Sequence, residues 1–303
     1  MSSDNNLVVV GSIALDTVET PFGKVKEALG GSATYFSMAA RHFTSVRLVA
    51  CVGKDFPKQH VSSLKHKGID VTGLEIKPGK TFRWKGRYGY DLNTAQTLKT
   101  ELNVLASFDP QIPESYRRSA TVFLANIDPV IQGRVLDQVR APRLVCADTM
   151  NYWIENKRKA LWKILKRVDI FLCNEAEARE LASETNLITC ARTLLNLGPK
   201  IIVVKKGEHG VVLFSHAWRF WAPAFLTESP RDPTGAGDSF AGGFMGFLAR
   251  SRRLTLADLK KAVVYGSVIA SYNVEDFSLR RLARLTRSDI DRRFHAFRAL
   301  TRF

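Results

Sequence analysis

Short apolar runs alternate with segments of helical periodicity along most of the sequence, and this alternation limits the possible folds more than any other feature. Strands that alternate with helices form βαβ units, which give a parallel sheet with helices on both faces. The apolar runs predict strands at 7–11, 46–52, 121–125, 144–147, 168–173 and 201–204, and a hairpin at 211–214 and 218–221. The helical patterns predict helices at 31–43, 56–67, 129–139, 156–167, 174–182, 236–250 and 256–273. The sequence therefore predicts an α/β fold around a central, mostly parallel sheet.

The sequence shows no internal domain boundary. Its 303 residues contain no linker-like segment, internal repeat or low-complexity tract, so we expect a single domain over 1–303. Hydrophobic residues make up 45 % and charged residues 24 % of the chain, a balance that excludes a mainly disordered protein. No apolar run approaches the roughly 18 residues of a membrane span. The polar residues 1–6 do not resemble the start of a signal peptide.

The four cysteines predict a reducing environment. Cys51, Cys146, Cys173 and Cys190 are far apart and match no zinc-binding spacing. Three of them lie within apolar runs, which favours buried, reduced thiols. Together with the absence of a membrane span, this predicts a cytoplasmic location.

The chain is strongly basic. Lys and Arg number 45 against 29 Asp and Glu, a net charge of +16, and such a protein attracts polyanions. Much of the excess lies at 250–303, where basic residues recur at helical spacing between Leu, Ile and Phe. That pattern is typical of an amphipathic helix with a solvated basic face. Because no RNA-binding or zinc-finger signature accompanies it, we expect neither a nucleic-acid nor a membrane partner.

One segment departs from the α/β pattern. Residues 81–90 alternate strictly, with Phe82, Trp84, Tyr88 and Tyr90 on one face and Arg83, Lys85 and Arg87 on the other. A strand with two unlike faces does not fit a sheet buried on both sides. We expect segments near 14–28 and 80–100 to form a small separate β lid over the carboxyl ends of the core strands, with its aromatic face inward. A plain surface hairpin is the alternative, and the lid is also a candidate homodimer interface.

The strongest local motif is DPTGAGD, at 232–238, which directly precedes a predicted helix. Gly235, Ala236 and Gly237 leave backbone N–H groups unpaired at the helix N-terminus, where the helix dipole also favours an anion. Asp238 lies in the first turn beside this anion hole. A carboxylate in that position suits a general base that takes a hydroxyl proton while the N–H groups hold a phosphoryl group. A helix cap with an acidic first turn is the structural alternative.

The extended motif DPTGAGDSFAGGF resembles the C-terminal signature of the PfkB, or ribokinase-like, family of carbohydrate and nucleoside kinases. Weaker motifs follow the family's order over nearly the whole chain: GSIALD ending at Asp16, the pair Gly30-Gly31, VGKD at 52–55, NEAE at 174–177 and KGEHG at 206–210. The resemblance implies a ribokinase-like fold with a β lid. Two positions differ from the family pattern, since Tyr35 and Ser267 stand where relatives often carry Asn.

The resemblance also implies roles for individual residues. It assigns Asp238 as catalytic base and Gly235, Ala236 and Gly237 as the anion hole. It assigns substrate binding to Asp16, Gly30, Gly31, Tyr35 and Asp128. Nucleotide binding falls to Asn174, Lys206, Gly207, Gly210, Thr234 and Ser267, and magnesium binding to Glu177. The implied cofactors are ATP and Mg²⁺, with a monovalent cation left open.

These features predict a kinase that phosphorylates a hydroxyl of a small sugar, polyol or nucleoside. One alternative is a sugar-phosphate kinase whose substrate is gripped by Arg83, Lys85 or Arg87. Another is a non-catalytic polyanion-binding protein on the same fold. A P-loop kinase is excluded, because the near-match at 78–81 has Leu74 where the motif needs Gly.

Overall fold

The computed structural model describes residues 6–251 and 254–301. Its strands are β1 (Leu7–Val10), β2 (Ala14–Thr20), β3 (Gly23–Gly30), β4 (Val46–Gly53), β5 (Ile69–Lys77), β6 (Arg83–Tyr88), β7 (Ala95–Glu101), β8 (Thr121–Leu124), β9 (Leu144–Ala147), β10 (Ile170–Asn174), β11 (Ile201–Lys205), β12 (Val211–Phe214) and β13 (Arg219–Ala222). Its α-helices are α1 (Ser32–Ala40), α2 (Lys58–His66), α3 (Pro129–Gln138), α4 (Asn151–Leu165), α5 (Glu175–Ala182), α6 (Leu187–Leu195), α7 (Ala236–Arg250), α8 (Leu256–Asn273), α9 (Arg280–Arg284) and α10 (Arg287–Leu300).

A nine-stranded sheet confirms the predicted α/β architecture. Its order is β13-β12-β11-β10-β9-β8-β1-β4-β5, with every neighbouring pair parallel from β11 to β5 and an antiparallel hairpin at the other edge. Leu7 and Val9 of β1 pack into one hydrophobic cluster, and Val8 and Val10 into another. Both faces of the sheet are therefore covered, because successive side chains of a strand point to opposite faces. The carboxyl ends of the parallel strands meet at one edge, where open α/β sheets bind ligands.

A second, four-stranded sheet has the order β3-β2-β6-β7. It is built from 14–30 and 83–101, the two segments that the sequence assigned to a lid. Strand β6 pairs parallel with β2 and antiparallel with β7, and a bulge follows Lys85. The strand predicted over 81–90 is shorter than expected, because it ends at Tyr88. Tyr90 was wrongly placed on the aromatic face: it lies in the following turn and is 86 % exposed.

The C-terminal basic segment is helical, as its periodicity predicts, but it is divided. Helix α9 ends at Arg284, and α10 begins after Thr286, whose side chain forms a capping box with Asp289. Several arginines of these helices lie over aromatic rings and pair with acidic side chains, for example Arg293 over Tyr272 and against Glu275. Part of the basic excess therefore packs the C-terminal helices onto α8.

Candidate active site

The N-terminus of α7 has the geometry of an anion site. Gly235 is the N-cap residue and has φ +74°, a left-handed conformation that favours glycine. Within the described ranges, the backbone N–H groups of Gly235, Gly237 and Asp238 have no hydrogen-bond partner, whereas Ala236 N–H donates to Pro233 O at 3.1 Å. The predicted anion hole therefore has free donors on both sides of Ala236, while Ala236 N–H itself closes the turn.

Asp238 lies in the first turn of α7, half-buried beside these N–H groups. Its carboxylate accepts no hydrogen bond from any residue that the structure describes. Its pKa is raised to about 7, mainly by burial and also by the nearby Asp148 carboxylate, while the Lys205 ammonium acts in the opposite direction. An unpaired carboxylate with a pKa near neutrality can accept a proton from a hydroxyl group.

A charged cluster occupies the carboxyl ends of three adjacent strands. Asp148 follows β9, Glu177 lies in the first turn of the helix after β10, and Lys205 is the last residue of β11. Lys205 Nζ lies 2.6 Å from Asp148 Oδ2, and both side chains are largely buried. Burial lowers the pKa of Lys205, but the carboxylates of Asp148 and Glu177 outweigh this effect, so the pKa is raised. Lys205 therefore stays charged.

Asn174 and Glu177 form a capping box at the start of α5. Glu177 N–H donates to Asn174 Oδ1 at 2.8 Å, and Asn174 N–H donates to Glu177 Oε2 at 2.7 Å. Burial raises the pKa of Glu177 to about 7. The second carboxylate oxygen of Glu177 has no partner among the described residues. It is a hard oxygen donor in a buried position, the type of ligand that Mg²⁺ prefers.

A second buried carboxylate, Asp16, lies against the di-glycine. A β-carbon on Gly30 would overlap the Asp16 carboxylate, and Gly31 has φ +93° at the N-cap of α1. Burial and the neighbouring Asp232 carboxylate raise the pKa of Asp16 to about 8, and the Gly31 N–H acts in the opposite direction. Gly30 thus permits a close approach of the Asp16 carboxylate to the backbone, and Gly31 adopts a conformation that favours glycine.

Two tyrosines line the space between Asp16 and the anion hole. The Tyr35 ring fills the position that a β-carbon on Gly235 would take, and it is buried. Tyr88 Oη lies 3.4 Å from Thr234 Oγ1, and burial raises the pKa of Tyr88 to about 12. The carboxylates of Asp16 and Asp238 also raise the pKa of both tyrosines, so these four side chains lie near one another.

Strand β6 carries Trp84 and Tyr88 in one hydrophobic cluster, and Tyr88 reaches Thr234 at the start of α7. Trp84 and Tyr88 pack with Phe277 in a small hydrophobic cluster. The rings of Trp84 and Tyr88 meet edge to face, with their centroids 6.5 Å apart. The basic side of the strand pairs with acidic residues instead. Arg83 contacts Asp55 and Glu27, each at 2.8 Å, and Arg87 contacts Glu19 at 3.2 Å.

The loop at 206–210 follows β11 at the same edge of the sheet. Gly207 and Gly210 have φ +55° and +90°. Lys206 Nζ forms an ion pair of 3.0 Å with Glu175, at the start of α5. Asn93, in the turn between β6 and β7, donates to Glu208 at 3.2 Å. The tip of the lid therefore touches this loop.

Comparison with known proteins decides the family. The model of the pfkB family of carbohydrate kinases matches residues 4–283. The chain belongs to this family. As a PfkB-family protein it is a kinase, an enzyme that transfers a phosphoryl group to an alcohol group of a sugar or nucleoside.

Two curated proteins illustrate its similarity to other family members. A cytidine kinase of Thermococcus kodakarensis is 32 % identical over 254 residues, covering 82 % of this chain and 90 % of that protein. A nucleoside kinase of Methanothermobacter thermautotrophicus is 26 % identical over 304 residues and covers 91 % of each chain.

Solved structures confirm the ribokinase-like fold. An Escherichia coli protein described as a ribokinase II, crystallised with ATP and Mg²⁺, superposes with a TM-score of 0.79 at 18 % identity. The match covers 96 % of this chain and 99 % of that one.

Three further predicted site residues of this kinase have other contacts in the structure. Asp128 accepts a hydrogen bond from Val130 N–H at 2.8 Å and so caps α3, and its other oxygen lies 3.7 Å from Lys157. Thr234 N–H donates to Asp232 Oδ1 at 2.9 Å, and Thr234 O accepts a hydrogen bond from Asn273 Nδ2 at 2.8 Å. Ser267 is buried in α8. For these residues the structure shows structural contacts, and their ligand roles stay predictions.

Asp148 and Lys205 are the residues of this kinase site that sequence reasoning missed. Each is a charged residue directly after an apolar strand, in LVCAD and IIVVK. Such a residue lies at the ligand-binding edge of a parallel sheet. That position was the signal available in the sequence, but their pairing spans 57 residues and depends on the order of the strands.

Proposed function

We propose that this PfkB-family kinase phosphorylates a hydroxyl group of a nucleoside, with ATP and Mg²⁺ as cofactors. The observation that carries the proposal is the unpaired Asp238 carboxylate beside the free N–H groups at the start of α7. The substrate class is supported by the cytidine kinase and nucleoside kinase among the relatives.

In the proposed reaction, Asp238 takes the proton from the substrate hydroxyl. The hydroxyl oxygen forms a bond to the γ-phosphorus of ATP as the bond to the bridging oxygen breaks, and ADP leaves. The N–H groups of Gly235 and Gly237 stabilise the charge on the transferring group, together with the positive end of the α7 dipole. Such a reaction depends mainly on positioning and charge neutralisation, which these residues supply.

Mg²⁺ would be held by the free carboxylate oxygen of Glu177. No cluster of three or more His, Cys, Asp or Glu suited to a metal ion occurs within 6–251 and 254–301. This fits Mg²⁺, which commonly takes one or two carboxylates and completes its shell with water and phosphate oxygens. When bound, the ion neutralises phosphate charge. The loop at 206–210 and the capping box at Asn174 would contact the nucleotide, as the family resemblance implies.

The nucleoside would bind between Asp16 and the lid. The Asp16 carboxyl group would hydrogen-bond to sugar hydroxyls, and Gly30 has no β-carbon that would overlap this carboxyl group. Tyr35, Trp84 and Tyr88 would stack on the base or cover it, and so exclude water from the transferring group. A sugar phosphate is less suited to this pocket, because Arg83 and Arg87 are already paired with carboxylates.

Several further properties stay predictions. A homodimer through the lid, a monovalent cation, the absence of a nucleic-acid partner and a cytoplasmic location belong to this group. Among the described helices, none is both long and apolar enough to cross a membrane.

Product analysis tests the proposal directly. Purified protein is incubated with cytidine, ATP and Mg²⁺, and the products are separated by chromatography and identified by mass. We expect a nucleoside monophosphate and one equivalent of ADP, both lost in the Asp238→Asn variant. Transfer to sugars or polyols but to none of the common nucleosides would contradict the proposed substrate class.

A further inference from the structure

We propose that Lys205 is a catalytic residue that binds the transferring phosphoryl group, and that Asp148 is the positioning residue that holds its ammonium group at the anion hole. The proposal rests on the phosphoryl-transfer site described above. It extends that site by a cation and a carboxylate that neither the family resemblance nor the comparisons assign.

The position of Lys205 is the first argument. Its side chain leaves the carboxyl end of β11 and reaches the N-terminus of α7, where Nζ lies 3.3 Å from the site of a β-carbon on Gly237. Gly237 carries one of the free N–H groups of the anion hole. An anion bound by these N–H groups would therefore also lie within reach of the Lys205 ammonium group.

The hydrogen bonds of the pair are the second argument. Asp148 Oδ1 accepts from Thr149 N–H at 2.9 Å, and Oδ2 accepts from Lys205 Nζ at 2.6 Å. Asp148 is thus fixed at both oxygens. An ammonium group has three N–H donors, and over the described part of the chain Lys205 Nζ has this single partner. Two donors remain for phosphoryl oxygens.

Electrostatics is the third argument. The ammonium group and the positive end of the α7 dipole face the same space, and two positive groups repel each other unless an anion lies between them. The carboxylates of Glu177 and Asp238 lie near the same ammonium group, and they suit a metal ion and a hydroxyl proton. Positive groups and carboxylates gathered at one site match a phosphoryl group that is transferred together with Mg²⁺.

A purely structural ion pair is the alternative role, and the chain offers a matched control. Lys200 and Asp169 form a more exposed pair of 2.7 Å between the chain segments that lead into β11 and β10, at the opposite edge of the sheet. Lys200→Met removes a lysine and a lysine–aspartate pair from the same region of the fold without touching the site.

The test compares Lys205→Met, Lys205→Arg, Asp148→Asn and the Lys205→Met/Asp148→Asn double variant with Lys200→Met. We expect Lys205→Met to lower kcat about 10²-fold or more, the scale of losing one preorganised donor to a developing charge. Arginine at 205 restores part of the rate. Because Asp148 acts through Lys205, the double variant is no slower than Lys205→Met. A kcat within threefold of wild type in Lys205→Met, or losses that multiply in the double variant, would overturn the proposal.

Calorimetry separates this proposal from the proposed function. Wild-type protein should bind ATP more tightly than AMP, and Lys205→Met should lose most of that preference while its affinity for AMP is unchanged. This measurement needs no nucleoside turnover, so it stands even if the acceptor is not a nucleoside. If Lys205→Met does not fold, Lys205→Gln, which also removes the charge, supplies the same comparison. An unchanged ratio of ATP to AMP affinity in the folded variants would refute the role of Lys205.

Discussion

At the scale of single residues, the proposed function depends on Asp238 as the general base. Asp238→Asn keeps the size of the side chain but removes the base, so we expect ATP binding to persist while kcat falls about 10²–10⁴-fold. In the wild type, kcat should rise as pH increases through about 7, because the base acts in its ionised form and burial raises its pKa to that value. Steady-state rates between pH 5.5 and 9 check both expectations. A variant with more than about a tenth of the wild-type rate would show that Asp238 is not the base.

Glu177 is the second residue with a testable role. Glu177→Gln retains a side-chain oxygen that can accept from Asn174 N–H but removes the carboxylate charge, so we expect a higher Mg²⁺ concentration for half-maximal rate. Glu180→Gln, less than one turn further along the same helix, is the control and should leave the titration unchanged. Equal Mg²⁺ dependence in the two variants would show that Glu177 only caps α5 and does not bind Mg²⁺.

Much of the site was predictable residue by residue, because its motifs are local. The turn at Gly235, the first-turn carboxylate at Asp238 and the capping box of Asn174 and Glu177 all follow from spacings of three residues or fewer. The Lys205–Asp148 pair was not predictable in this way. It exists because the sheet places β9 and β11 on either side of β10, which no local pattern states.

At the scale of elements, the proposed role of the lid depends on β6. Trp84 and Tyr88 pack in one hydrophobic cluster, whereas Arg87 forms an exposed ion pair. We expect Trp84→Ala to raise KM for the nucleoside about tenfold or more, since stacking on a base contributes about 1–3 kcal/mol. Arg87→Ala should change KM less than twofold, because exposed ion pairs contribute little. Initial rates with varied nucleoside distinguish the two. The reverse pattern would favour an anionic substrate held by the basic side.

The elements that sequence reasoning missed have weak local signals. Strand β5 forms one edge of the large sheet and mixes buried with exposed positions around Gly73, so it lacks a continuous apolar run. Helix α6 has nine residues and includes Ile188 and Thr189, which lower helix propensity. Helix α4 starts five residues earlier than expected and contains a non-helical Lys157, so its periodicity is broken.

At the scale of the whole molecule, the buried carboxyl groups of the site make the free energy of unfolding depend on pH. Asp16, Glu177 and Asp238 have folded-state pKa values raised to about 8, 7 and 7, above their unfolded values. Between pH 4.5 and 8 these three groups bind more protons in the folded than in the unfolded state, so they make the free energy of unfolding fall as pH rises. His42, whose pKa is lowered to about 3 mainly by burial, acts in the opposite direction, but it is a single group against three. We expect the Tm of the ligand-free protein to decrease over this range. Asp16→Asn should raise Tm at pH 8 by about 2–5 °C, while impairing nucleoside binding. A Tm that rises steadily from pH 5 to 8 would contradict the burial of these groups.

The net charge of +16 has a partly structural explanation at this scale. Arg281 and Arg293 lie over Tyr272 and share the carboxylate of Glu275, and Arg287 lies over Phe43 and Tyr265. These contacts pack the C-terminal helices onto the core. The charge pattern of the sequence predicted the helix, but it did not reveal which arginines are used inside the protein.

Acceptor preference tests the central claim most directly. The measurement is kcat/KM at saturating ATP and Mg²⁺ for cytidine and for free ribose, with inositol and fructose 6-phosphate as further acceptors. Because the base would stack on the aromatic side of the lid, cytidine should exceed ribose by about 10²-fold, and Trp84→Ala should reduce that ratio. A higher kcat/KM for ribose, inositol or fructose 6-phosphate than for cytidine and the other common nucleosides would contradict a nucleoside kinase.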